Sequence, residues 1–473
     1  MSMPSALSRS RERPVVVRAG RATGERVRMG VYDLLPGTFA VGCTFYYREG
    51  LDTAAVRDSL ARTLARHPPL AGRMERNPDG GIDLVCNDAG ALFAEVHSDL
   101  PMPDYGIGRS AKSDLGRYLH RVNPFAVVGH DTPLLTVKIT QMRGGGSVLG
   151  VTFNHGVTDL SGFMDFLQNW SREHHGLPYQ APPHGRNTLD GLGIFAARAA
   201  REHSEQYVAV RRREKFRFLW RVNAGSRRVR HLTVRFPGDE VRAIKAAAAA
   251  PLAGTGQWVS AGDALAAHVW KVLGELRARP DNSAERLGVI VDIRSALRDV
   301  LPDGFGGNAV TNTTATLSSG ELAAASLADV ASAVRTAIGE VTERHLCKEI
   351  AFLAAQRSAG RSRQVLSRMA LDAFDGTVSL NNVGRFPVYR IDLGSGRPFW
   401  FEYPPIPIPW NVFITPTPED DEGRDVHLSI PQDKAQVFGA PSWNARLHAH
   451  APARPDAGVP PDAGVPREKD RSA

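Results

Sequence analysis

PLLTVKITQMRGGGSVLGVTFNHGVTDLSGF, residues 133–163, carries the densest structural and chemical signal in the chain. Leu135, Val137 and Ile139 alternate with polar residues, the period of a half-buried strand. Arg143-Gly144-Gly145-Gly146 supplies a flexible turn, and Val148 to Phe153 forms the returning strand of a hairpin. After a short loop, Leu160, Phe163, Leu167 and Trp170 recur at helical spacing. His155 and Asp159, four residues apart, therefore sit where a strand ends and a helix begins, with rigid elements on both sides of the loop. An imidazole titrates near neutral pH and can move a proton there. In a chain with 15 histidines the same spacing also arises by chance, as a structural histidine beside a helix-capping aspartate.

Outward from this stretch, strands and helices keep alternating. Val41 to Tyr47 reads as a strand, and Val56, Leu60 and Leu64 mark a helix that stops before Pro68, because proline disfavours helical geometry in the residue before it. The region from Arg198 to Arg230 is densely charged and weakly periodic, which predicts a helix plus an extended crossover. Ser260-x-x-Asp263 is a capping-box pattern, opening a helix with Leu265, Val269, Val272 and Leu276 on its apolar face. Leu287 to Ile293 reads as a strand, and Leu327, Val330, Val334 and Ile338 as an amphipathic helix. PDAGVP occurs twice in tandem near the C-terminus, a composition that buries too little apolar surface to order itself. Mixed strands and helices in two successive halves point to an α/β architecture.

Composition narrows the function classes. At 473 residues the chain exceeds one hydrophobic core and suits two domains of about 200 residues each. Hydrophobic residues at 42% and charged residues at 23% are those of an ordinary folded, soluble chain. No apolar run approaches the roughly 18 residues that span a bilayer, and MSMPSALSRSRERP lacks the apolar region of a secretory signal. Cys43, Cys86 and Cys347 form no CxxC pair and no metal-ligand spacing, so a reducing, cytoplasmic location without disulfides or bound metal is expected. The net charge of +8 concentrates in Arg9 to Arg28 and in RRREKFRFLWRV followed by RRVRH. Such runs are usually a solvated face; the other readings are a nucleic acid, an acidic membrane face or a phosphorylated small molecule. With no zinc-finger spacing and no RNP-type aromatic motif, no nucleic-acid partner is expected, and with no apolar run of spanning length, no membrane partner.

Several stretches, in order, resemble the BAHD acyltransferases, relatives in fold of chloramphenicol acetyltransferase and of peptide-synthetase condensation domains. SLARTLARHPPLAGR, GGIDLVCNDAGALFAEV, the hairpin into HxxxD, SAGDALAAHVWKVL, VDIRSALRDVLPDGFGGNAV and IDLGSGRP are each similar to a family segment, and together they run from about Tyr32 to Phe438. The resemblance implies two similar domains of mixed sheet and helices with an active-site tunnel between them. With the composition of the ends, where only Val15–Val17 of the first 28 residues looks strand-like, the expected division is a flexible basic N-terminus at 1–28, an N-terminal domain at 29–205, a crossover at 206–230, a C-terminal domain at 231–448 and a disordered tail at 449–473. The resemblance also implies a monomer of secondary metabolism, with no permanently bound cofactor, that takes acyl-CoA as co-substrate and a small-molecule acyl acceptor.

The mechanism implied is direct transfer. His155 acts as general base on the acceptor hydroxyl or amine, which attacks a thioester already activated, so no covalent intermediate is needed and no GxSxG elbow is present. Asp159 invites a triad reading; the resemblance favours a structural pair with Arg294 instead. Asn381 and Asn382, in SLNNVGRF, are candidate donors to the thioester oxygen, or simply the residues of a turn. Gly307 and Asn308 are either a plain turn or a loop reaching the tunnel. Asp392, Gly394 and Gly396 are what is left of the late motif after Leu393, Ser395 and Arg397 replace its usual residues, and they imply a structural role. Arg368 stands at the spacing where some members contact an acceptor carboxylate, and is otherwise an exposed helix arginine. Two rival readings keep the fold. One takes the acyl group from a carrier protein, although Asn154 stands where such relatives usually carry a second histidine; the other is an inactive binding protein on the same scaffold.

Overall fold

The structure is a computed structural model that describes residues 14–78, 81–103, 115–193, 198–225, 228–419 and 421–452. Its framework is two six-stranded sheets, each carrying helices. The hairpin Leu135–Arg143 and Ser147–Asn154 lies inside the first sheet, with Thr136 opposite Thr152, and Ala40–Tyr47 pairs on its other side. Helices Thr53–Arg66 and Leu160–His174 cover this sheet, placing Leu60, Leu64, Phe163, Leu167 and Trp170 against Val137, Ile139, Val151 and Phe153 in one core. Burying such side chains contributes roughly 1.5–3 kcal/mol each. Asp52 caps the first of these helices, and Pro68–Ala71 ends it as a short 3₁₀ turn, where proline stops helical propagation.

The second sheet runs, edge to edge, through Val229–Phe236, Arg424–Pro431, Asn411–Pro416, Val378–Asn382, Ala284–Asp292 and Val310–Ser318. Helices Ala261–Arg277 and Leu327–Gly339 pack on it, and the predicted capping box is formed: Asp263 N–H donates to Ser260 Oγ at 3.1 Å and Ser260 N–H to Asp263 Oδ2 at 2.7 Å. A third core joins the halves, with Val31, Tyr32, Leu189 and Tyr207 packed among Ile293, Leu301, Phe305 and Ile350. There the Tyr32 hydroxyl donates to Glu349 Oε1 at 2.5 Å, and burial pushes the Glu349 carboxyl up to about 7.

Three features depart from the expected division. The N-terminus is not flexible through residue 28. Val15–Val17 pairs with the strand Ala91–Pro101, and Arg26–Arg28 with Ile82–Val85, because each covers an otherwise open strand edge. Residues 1–13 lie outside the described residues. The segment 231–448 does not stay with one sheet either: Trp400–Glu402 closes the edge of the first sheet, Phe401 opposite Phe45, and Val388, Ile391 and Leu393 enter the first core. The chain at the expected tail still touches the body at His450, whose ring lies 5.2 Å from that of His268; residues 453–473 lie outside the described residues. The crossover is a short strand, Tyr207–Ala209, paired with Val365–Ser367, then the helix Arg212–Gly225.

Candidate active site

His155 follows directly on the last residue of its strand. Its backbone N–H donates to Phe39 O at 2.8 Å, and the preceding Asn154 accepts Gly156 N–H at 2.9 Å, shaping the turn. The half-buried imidazole faces the other half of the molecule, where Asn308 Oδ1 lies 3.0 Å from Nδ1. The orientation of that amide is fixed by its other contacts. Asn308 Nδ2 donates to the His155 carbonyl at 2.8 Å and to Asp33 Oδ1 at 2.9 Å, both acceptors only. The amide oxygen must therefore face Nδ1, which must carry the proton. In the neutral ring the lone pair is then on Nε2.

Asn308 is itself held from below. Its backbone N–H donates to Asp33 Oδ1 at 2.9 Å, and Asp33 Oδ2 accepts Gly30 N–H at 2.9 Å. Burial raises the Asp33 carboxyl above its usual range, against the pull of Arg186 and of these hydrogen bonds. Arg186, equally buried, sits 3.6 Å from Asp33, donates to the Val157 carbonyl at 2.9 Å and lies over the Phe305 ring at 5.5 Å. Gly307 is small for a reason: a Cβ there would meet Arg186 Nη1. Nothing in the sequence singles out Asp33 or Arg186, which reach the site across long loops.

Asp159 turns away from the imidazole. It caps the helix Leu160–His174 by accepting Gly162 N–H at 3.0 Å, accepts Ala309 N–H at 2.8 Å, and pairs with Arg294 Nη1 at 2.9 Å and Nη2 at 3.1 Å. Arg294 also donates to the carbonyls of Phe305 and Gly307, at 3.2 and 2.8 Å. Burial lowers the Arg294 pKa, but Asp159 and Asp292 more than offset that and raise it above its ordinary value. One carboxylate and one guanidinium thus tie the helix start, the loop 305–309 and the second sheet together.

The remaining candidates are spread more widely. Asn381 and Asn382 end a strand of the second sheet beside Phe413 and Ile414. Asn382 Oδ1 accepts Gly384 N–H at 3.0 Å, and among the described residues no hydrogen bond joins either asparagine to His155. Asp392 exchanges two hydrogen bonds with Ser171 Oγ, one through its carbonyl at 2.7 Å and one through its N–H at 3.1 Å. Gly394 and Gly396 adopt φ of 92° and 76°, and a Cβ on Gly394 would press on His174. Arg368 is exposed at the start of a short helix, its Nε 3.4 Å from the Ser204 carbonyl. A cavity of about 30 Å³, enough for roughly two waters, opens beside the His155 loop. Val157, Thr158, Phe166 and Arg186 line it, but the imidazole does not. Two further lining residues, His67 and His184, have pKa values lowered by burial, His67 to about 3, so both are neutral at pH 7.

The model of the Transferase family matches residues 10–441. A shikimate O-hydroxycinnamoyltransferase of Nicotiana tabacum is 24% identical over 436 residues, covering 90% of this chain and 97% of its own. A hydroxycinnamoyl-CoA:5-hydroxyanthranilate N-hydroxycinnamoyltransferase of Avena sativa is 25% identical over 448 residues, covering 90% and 97%. Among solved structures, F. graminearum TRI101 complexed with coenzyme A and T-2 mycotoxin superposes with a TM-score of 0.69 at 17% identity, over 89% of this chain and 98% of that one, and so shares the fold. A match of this extent, over a two-sheet α/β body, means that the chain belongs to the Transferase family, the BAHD acyltransferases.

Proposed function

We propose that this protein transfers an acyl group from acyl-CoA to a hydroxyl or amine of a small-molecule acceptor, with His155 as the general base. The observation that supports it best is the anchored tautomer: Asn308 accepts at Nδ1, so in the neutral ring Nε2 is the atom with a free lone pair. The acceptor O–H or N–H gives its proton to Nε2 as the oxygen or nitrogen bonds to the thioester carbonyl carbon. The C–S bond then breaks and the proton passes to the coenzyme A sulfur. Asn381 and Asn382 are the proposed donors to the carbonyl oxygen, where one hydrogen bond is commonly worth about 3–4 kcal/mol. Asp159 and Arg294 are proposed as the clamp that holds the loop, and Asp392, Gly394 and Gly396 as a structural turn on the first sheet. On this reading Gly307 and Asn308 line the approach to the base.

The same reading takes the enzyme to be a cytoplasmic monomer that works without a resident cofactor, in keeping with three scattered cysteines. A carrier-protein donor fits less well, since Asn154 spends its side-chain oxygen on the turn at Gly156.

The test is release of free thiol from purified protein offered panels of acyl-CoAs and acceptors. The two relatives above name a hydroxycinnamoyl group, one with an O- and one with an N-acceptor, so the panel begins with hydroxycinnamoyl-CoAs and includes both alcohols and amines. Thiol release that requires an acceptor, with the matching ester or amide formed, is expected. Transfer from acyl-carrier thioesters but from no acyl-CoA would replace the donor in this proposal.

A further inference from the structure

The basic stretch between the two halves has a surface to which the proposed mechanism assigns no residue. The helix Arg212–Gly225 buries none of its residues. It rests on the body through Phe218, which meets Phe374 edge-on with ring centroids 6.2 Å apart, and through Gly225, where a Cβ would lie 3.4 Å from the same ring. On the opposite face Phe216, Leu219 and Trp220 are 72%, 39% and 62% exposed. Their i, i+3, i+4 spacing makes one contiguous stripe. Arg211, Arg212, Arg213 and Arg217, all exposed, flank it, with Glu214 the acidic residue among them. Arginines at the first turn oppose the helix dipole, and large apolar side chains facing water gain nothing from it, so this face is poorly suited to standing free.

We propose that this helix docks the enzyme on an anionic lipid bilayer, lying in the plane of the interface. Phe216, Leu219 and Trp220 sink to the headgroup–acyl boundary while the flanking arginines pair with anionic headgroups. A convex helix with a continuous apolar stripe fits a bilayer better than the charged backbone of a nucleic acid, which calls for a groove with stacking platforms. The contact is peripheral: no helix among the described residues is long and apolar enough to cross a membrane. It modifies the expectation of no membrane partner, which rested on the absence of spans.

Co-sedimentation of the full chain with vesicles of phosphatidylserine and phosphatidylcholine, against phosphatidylcholine alone, tests this. Binding to the anionic vesicles only is expected, weakened by salt and cut about tenfold or more in the variant Phe216→Ser/Trp220→Ser. Thermal unfolding and turnover of that variant in solution should match the parent, since both side chains face solvent. Equal sedimentation with both vesicle types, or full binding by the variant, would overturn the proposal. So would a dimer dispersed by the variant, which gives the face to a second copy, or RNA or DNA binding without vesicle binding.

Discussion

Replacing His155 with alanine will lower acyl transfer by roughly two orders of magnitude or more, the usual cost of a lost general base. The loss should fall on kcat rather than on the KM for acyl-CoA, because the imidazole is assigned to the proton and not to holding the donor. The fold should persist. His155 is half-buried, and its loss strips one hydrogen bond from Asn308, whose amide keeps Asp33 and the backbone carbonyl as partners. A destabilisation of about 1 kcal/mol is the expected scale. Steady-state turnover and a urea titration on one preparation separate the two effects. Unchanged turnover would remove His155 from the reaction; no turnover in parent or variant would leave the inert binding protein as the better reading.

Asp159→Ala should act the other way, on stability before chemistry. The carboxylate accepts from Gly162, Ala309 and both Arg294 terminal nitrogens, so its removal orphans two backbone donors and leaves a largely buried guanidinium with Asp292 as its remaining ion pair. Breaking such a pair costs roughly 3–5 kcal/mol, toward the lower end here because Asp292 persists, and loss of the helix cap adds about 1 kcal/mol. Asp159→Asn should recover part of this, since asparagine also caps helices well. Activity would fall as the loop 305–309 loosens its hold on Asn308. A triad role predicts the reverse pattern, a large drop in kcat with an unchanged urea midpoint.

The local parts of this fold were legible in the sequence. The hairpin before His155, the helix from Leu160 and the capping box at Ser260 all depend on residues a few positions apart, where periodicity and capping chemistry operate. Pairings between segments distant in sequence were not. Trp400–Glu402 enters the first sheet and Arg26–Arg28 is ordered through edge pairing that no short-range pattern encodes; Val15–Val17 looks strand-like by itself, but its partner strand Ala91–Pro101 does not follow from that run. The site divides in the same way. His155, Asp159 and Arg294 stand in recognisable segments. Asp33 and Arg186 carry no motif and act only through the folded chain, and Asn308, legible as part of a loop, becomes the partner of the imidazole only when the halves meet.

That partnership is the point on which the mechanism turns, and nitrogen-15 NMR of the ring of His155 measures it directly, with the H155A spectrum assigning the signals. In the neutral ring, Nδ1 should be protonated and pyrrole-like and Nε2 unprotonated and pyridine-like, with this preference lost in Asn308→Ala and turnover reduced with it. A neutral ring with its proton on Nε2 in the native enzyme would overturn this mechanism, because the atom assigned to accept the acceptor's proton would already be occupied.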